Sequence, residues 1–232
     1  MNKFIILFAI SISFATEKLI PVETLLIDCH EPSDITFDVS DNSFYCVSDE
    51  GKIYQYSMSG KTLRSFKLDL RDMESVYVNE NNLYVIDERT RQILTIEKKS
   101  LSEKNRKIIP YLGGANKAFE GITFNPKTQE WLIITEKSPV LIYELDFDFN
   151  IQNIIHEPHD LAEVSGVTYY NDHLWFIGDE DRTLSKVNPD TYKVIKKWTI
   201  EIPTPEGIVF ANDTLFLVSD NFNMMYKMEP IN

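Results

Sequence analysis

Two series of oxygen-bearing side chains return at a near-constant interval along this chain. The first is Ser33, Glu74, Glu120, Ser165 and Glu206, each two residues ahead of an apolar anchor: Ile35, Val76, Ile122, Val167 or Ile208. The second is Asp49, Asp87, Glu136, Asp179 and Asp220, each closing a short strand-like run. Gathered together, the eight carboxylates of the two series would repel one another and raise their own pKa values, and a divalent cation is the simplest neutraliser. An all-oxygen set suits calcium, which takes about 6–8 oxygens in loose geometry, better than zinc, which prefers nitrogen and sulfur. The competing reading leaves the second series bonded to backbone N–H groups or paired with Arg89, Lys137 and Arg182.

Only a closed, repetitive fold brings such distant residues together. The anchors lie 41, 46, 45 and 41 residues apart. Each is followed by a polar turn and a second apolar run, at 44–49, 83–87, 131–136, 174–179 and 215–220. Alternating third runs follow at 53–56, 93–96, 141–144 and 225–228, and fourth runs at 62–68 and 192–200 come after Ser59-Gly60 and Asn188-Pro189-Asp190 turns. Four short antiparallel strands per ~40–45 residues is the period of a propeller blade. The chain is therefore read as all-β, a five-bladed β-propeller with blades starting near 32, 73, 119, 164 and 205. A chance recurrence in an all-β sandwich would not keep five copies in register with five acidic strand ends. The last copy stops after three strands, and 22–28 (VETLLID) has no hairpin partner, so it is expected to pair as the outer strand of the last blade and close the ring. In antiparallel strands the start of the first and the end of the second share one end of the hairpin. Both acidic series are thus predicted on one face, the first ringing the central channel.

Composition narrows the partners. With 36 acidic against 23 basic residues, a net charge of -13 and no basic cluster, the chain repels phosphate backbones, so nucleic acid is not an expected partner. No phosphate-cradling glycine motif and no CxxC pair is present. Residues 1–15 (MNKFIILFAISISFA) read as a signal peptide, with Lys3, an apolar run and small residues at 13 and 15. The run meets Glu17 and Lys18 too soon for a membrane anchor of about 20 residues. A single domain over 16–232, extracytoplasmic in the periplasm or secreted and monomeric, is the expectation. There, Cys29 and Cys46 could oxidise, although Cys46 in FYCVSD also reads as a small buried hydrophobe. Asp146-Phe147-Asp148-Phe149-Asn150 with Glu157 mimics a calcium loop, but Ile151 replaces the needed glycine, and a hairpin turn is the better reading. His30, His156 and His159 fall in loops on the acidic face and could act as a general base. Asn212-Asp213-Thr214 is a glycosylation sequon, and Trp131 and Trp175 are expected to pack between blades.

The segments EPSDITFD, VSDEGKIYQYSMSGK, YVIDERTRQI, FEGITFNPKTQEWLIITEKSPVLIYEL, VSGVTYYNDHLWFIGDEDR and PEGIVF resemble the SdiA-regulated family of bacterial extracytoplasmic proteins over roughly residues 25–230. The resemblance implies a five-bladed propeller distantly related to NHL-repeat proteins, a bound calcium ion and no established activity. Gluconolactonase and paraoxonase propellers, which are related, hold calcium with residues opening the innermost strands, and this analogy favours Glu74, Glu120 and Glu206 as ligands, with Asp49, Asp87, Glu136, Asp179 and Asp220 as secondary candidates. Asp34 and Ser75 depart from the pattern, standing where Gly121, Gly166 and Gly207 stand in the other blades, and a change of mouth shape is expected there. The functional expectation is a calcium-binding module, acting in binding or as a scaffold, for an unidentified small molecule or a protein or cell-surface ligand. The alternative is a calcium-dependent hydrolase of lactones or esters, with the ion polarising a carbonyl and a mouth His or Glu activating water.

Overall fold

A computed structural model describes residues 17–114, 118–156 and 161–231. The leader at 1–15, Glu157 and His159 lie outside the described residues. Two strands precede the ring: β1 (Glu17–Leu19) and β2 (Pro21–Leu26). Blade one is β3 (Pro32–Asp38), β4 (Ser43–Ser48), β5 (Lys52–Ser57) and β6 (Thr62–Lys67), and blade two is β7 (Met73–Val78), β8 (Asn82–Asp87), β9 (Gln92–Glu97) and β10 (Glu103–Ile108). Blade three is β11 (Phe119–Asn125), β12 (Glu130–Thr135), β13 (Leu141–Leu145) and β14 (Ile151–His156). Blade four is β15 (Gly166–Tyr170), β16 (His173–Gly178), β17 (Thr183–Val187) and β18 (Val194–Ile200). Blade five is β19 (Pro205–Ala211), β20 (Thr214–Ser219) and β21 (Met224–Met228), completed by β2 in antiparallel pairing with β21.

The expected closure is therefore present: Thr24 pairs with Tyr226 and Leu25 with Met225, so the first part of the chain covers the edge left by the last. The sequence pattern did not disclose β1, which adds to blade four in parallel to β18, Lys18 opposite Thr199.

Burial follows position in the blade. Strand β4, sandwiched between neighbouring blades, is buried at every residue, whereas the outer strand β6 alternates half-buried and exposed side chains. Trp131 of blade three packs on Tyr77 and Tyr84 of blade two, ring centroids 5.2 and 4.4 Å away, and Trp175 of blade four packs on Phe210 of blade five at 5.1 Å. On the face opposite the acidic mouth, hairpins turn on two residues in the left-handed region, Asn171-Asp172 and Asn212-Asp213, the Asx-rich chemistry of a type I′ turn. Asn212-Asp213-Thr214 thus has a structural reason to be there. Cys29 and Cys46 are unbridged, fully buried thiols, both set against the Val47 carbonyl.

At the axis the five inner strands approach one another so closely that three positions exclude a side chain. A Cβ on Gly121 would lie 2.6 Å from the Val167 side chain, one on Gly166 2.4 Å from the Glu206 carbonyl oxygen, and one on Gly207 2.6 Å from the Asp34 Cα. The two exceptions to the glycine pattern fill the space that remains. The buried Asp34 carboxylate accepts the Ser75 hydroxyl at 2.6 Å and the N–H groups of Val76 and Ile35 at 2.9 and 2.8 Å, and the Ile208 N–H also lies against it. The Ser75 Oγ in turn accepts the Ile122 N–H at 3.0 Å. One polar chain thus joins blades five, one, two and three.

Replacing Asp34 by Gly would restore the repeat pattern yet strand the Val76 and Ile208 donors, each costing about 1–3 kcal/mol when left buried and unpaired. We expect D34G to lower stability by about 2 kcal/mol or more in denaturant titration. An unchanged midpoint would show that the axis does not depend on this carboxylate.

Candidate functional site

The residues that open the inner strands owe their aim to an irregularity that recurs in four blades. The strand register slips between Pro32 and Asp34, Met73 and Ser75, Phe119 and Gly121, and Pro205 and Gly207. The extra residue at each slip is Ser33, Glu74, Glu120 or Glu206, and a bulge of this kind re-aims a side chain away from the pleated surface. In blade four Ser165 plays the part, its N–H donating to the Ile177 carbonyl and its hydroxyl to the Pro205 carbonyl at 2.8 Å. Residues just past the second strands complete the mouth.

The result is a cavity of about 170 Å³ lined by Ser33, Asp49, Glu74, Glu120, Glu136, Glu163, Ser165, Asp179, Glu206 and Asp220. Seven of the eight predicted carboxylates are there, drawn from all five blades. Asp87 is the exception. It is buried inside β8, bonded by the Thr90 hydroxyl, and does not line the cavity. Glu163, in the loop before β15, takes part instead. Together with Asp72 it occupies a repeat position the acidic series did not include, two residues before Ser165 and Glu74, with Glu31 in the same place in blade one. Asp72, Glu74 and Glu88 bring carboxylate oxygens within 4.8 Å of one another, extending the cluster into blade two.

Compensation inside the cavity is sparse. Lys137 meets Glu136 at 2.5 Å and Glu180 at 2.7 Å, so the ion-pair reading holds for Glu136. Ser33 donates to Asp49. Among the described residues, neither Arg89 nor Arg182 pairs with a carboxylate of the mouth. His30 sits at the rim, exposed, 3.6 Å from Glu31 and 3.7 Å from Glu50, while His156 lines a separate apolar cavity with Tyr111 and Pro139. The Asp146 loop is a hairpin turn in which its carboxylate accepts the Asp148 and Asn150 N–H groups.

Burial, followed by neighbouring negative charge, dominates the electrostatics. Both push Glu74 and Glu120 well above the usual carboxylate range, Glu206 up to about 10 and Glu163, beside Asp179, up to about 8. Glu163 is buried, its Oε2 accepts the Glu180 N–H at 3.3 Å, its Oε1 receives no N–H or hydroxyl donor, and its carboxyl lies within hydrogen-bond reach of the Asp179 carboxyl. Two carboxyl groups in such contact inside an all-oxygen cavity need a proton or a cation between them.

The family model for SdiA-regulated proteins matches residues 22–229, and the chain belongs to that family. Solved structures similar in fold include Myxococcus xanthus glutaminyl cyclase, with a TM-score of 0.75 and 9% identity over 93% of this chain and 98% of that one. A catalytically inactive virginiamycin B lyase from Staphylococcus aureus, solved with quinupristin, follows at a TM-score of 0.54 and 16% identity, covering 86% of this chain and 66% of that one. A chain of a nidogen/laminin complex matches at 0.53 and 17%, over 74% and 65%. At these identities the likeness is one of fold.

The raised carboxylate pKa values fix a sign. Between the ordinary range near 4.5 and the folded values of about 8 and 10, the native state holds protons that the unfolded chain has released, so stability falls as pH rises. In the presence of chelator the melting temperature should therefore decrease from pH 5 to pH 9. A flat or rising profile would contradict the clustering.

Proposed function

We propose that this protein is a calcium-binding propeller that works outside the cytoplasm as a monomeric binding or scaffold module, the ion sitting at the axial mouth. The observation that carries the reading is the convergence of eight carboxylates from five blades on one small cavity in which the buried Glu163 carboxyl lies against that of Asp179. The donor set fits the ion: every titratable group lining the cavity is a carboxylate, two serine hydroxyls join them, and neither His nor Cys is among them. Glu74, Glu120 and Glu206 would hold the ion, with Glu163 and Asp179 beside them. Bound there, calcium supplies positive charge that replaces protons and adds a tie between blades at the mouth to the ion pairs, such as Lys98–Asp38 and Lys137–Glu180, that join them elsewhere. The leader expected at 1–15 supports an extracytoplasmic site of action, where calcium is plentiful. The ligand of such a module is a small molecule or a cell-surface group.

An ion that binds only the folded state stabilises by RT ln(1 + [L]/Kd), about 2.7 kcal/mol at a hundredfold excess over Kd. Millimolar calcium should raise the melting temperature visibly, and magnesium much less, because it resists dehydration and irregular cages. Glu120→Gln should blunt the response. Glu103→Gln, on the outer strand of blade two where Glu103 pairs with Arg106, should leave it intact. No calcium shift, or an E120Q protein that responds like wild type, would remove the axial site and with it both calcium-dependent functions. Turnover of a lactone or ester only in calcium would favour the hydrolase over the binding module.

A further inference from the structure

The larger cavity lies away from the mouth, between blades four and five on the side of the Asn171-Asp172 and Asn212-Asp213 turns, and has a volume of about 520 Å³, within the range of small-molecule sites. Trp175 and Trp198 form its floor, stacked at 5.7 Å with 26° between their planes. Tyr170 and Phe210, stacked at 4.0 Å and 8°, form a partly exposed wall. Val22 and Ile195, 59% and 53% exposed, add apolar side chains to its rim.

The polar edges of these rings are already committed. Trp175 Nε1 donates to the Tyr170 carbonyl at 3.1 Å, Trp198 Nε1 to Glu17 at 3.0 Å, and the Tyr170 hydroxyl to Asp213. The rings therefore ask a ligand for no hydrogen bond, and the surface they offer is that of the partly exposed Tyr170 and Phe210, since Trp175 and Trp198 are buried. The charged groups around the cavity are mostly committed too. Lys196 pairs with Glu17 at 2.7 Å and Lys227 with Glu23 at 3.5 Å, while Asp213 takes the Tyr170 hydroxyl and Glu229 takes the Ile20 N–H at 3.2 Å. Lys186 differs. Its ammonium stands 5.3 Å from the centre of the Trp175 ring and, among the described residues, forms no ion pair with a carboxylate. In a chain with a net charge of -13, a cation held over an aromatic floor without a carboxylate is a specific feature.

We propose that this cleft binds a flat, apolar small molecule bearing one anionic group, its body on the Tyr170 and Phe210 wall and its anion at Lys186. A sugar fits less well, because it would need donors and acceptors that the aromatic edges have already spent. The site shares no residue with the acidic mouth.

The test uses the full mature chain in calcium and a matched pair of fluorescent probes, the anionic 1-anilinonaphthalene-8-sulfonate and the uncharged N-phenyl-1-naphthylamine. The anionic probe should bind saturably, one per chain, and quench tryptophan emission. Lys186→Gln should weaken it about tenfold and leave the neutral probe unchanged. Ile195→Glu, at an exposed position, should weaken the anionic probe without lowering the melting temperature. Glu120→Gln should change neither probe, so failure here and failure of the calcium reading are separable. Unsaturable binding, or anionic-probe binding that K186Q and I195E both leave intact, would overturn the proposal.

Discussion

Five edge strands have to meet at one axis without stranding the N–H groups that face it, and the rest of the molecule depends on how that is solved. Glycine at 121, 166 and 207 lets backbones come within contact distance of the neighbouring blade. Where the repeat offers Asp34 and Ser75 instead, the side chains become acceptors for donors of three other blades. The buried Asp34 carboxylate is costly to place, and burial raises its pKa to about 7. Its donors make it tolerable, and removing it would leave them with none. One residue earlier along the strands, the bulges turn Ser33, Glu74, Glu120 and Glu206 toward the mouth. The plug and the acidic ring are thus consecutive positions of the same repeat.

That arrangement stores charge repulsion at the place where the blades meet. The Ser33 hydroxyl and the Lys137 ammonium offset part of it, at Asp49 and Glu136. Glu74, Glu120, Glu163 and Glu206 are left to hold protons or share a cation, which explains why their pKa values move together in one direction. Protons serve at low pH. A divalent ion would serve at any pH at which the carboxylates can be ionised, and would add cross-links between blades that no proton provides.

The sequence made the ring legible because a 41–46-residue repeat with one acidic and one apolar landmark per blade has few other solutions, and the spare strand at 22–28 pointed to its own partner. What escaped was local. A bulge leaves no mark in the pattern of apolar residues, so Glu74 and its equivalents were placed by position alone and not by aim. Asp87 looked like its counterparts until Thr90, three residues on, proved to hold it. Glu163 belongs to a third acidic register, shared with Asp72 and Glu31, that lies two residues ahead of the first series and is interrupted in the other two blades. Asp34 and Ser75 stand out in the repeat as lost glycines, but nothing in the pattern shows that they are buried links of the axis. The aromatic cleft drew on residues from 22 to 231, a set that only the closed ring assembles.

The most direct measurement is calorimetric titration of calcium into the metal-free protein at pH 7 in buffers of different ionisation enthalpy. With Glu206 pushed up to about 10 and Glu163 to about 8, the empty mouth holds protons at that pH that an incoming cation must expel. The account predicts one tight site per chain, with an observed heat that varies linearly with buffer enthalpy in the sense of net proton release. Absence of binding, or a binding heat independent of the buffer, would contradict it.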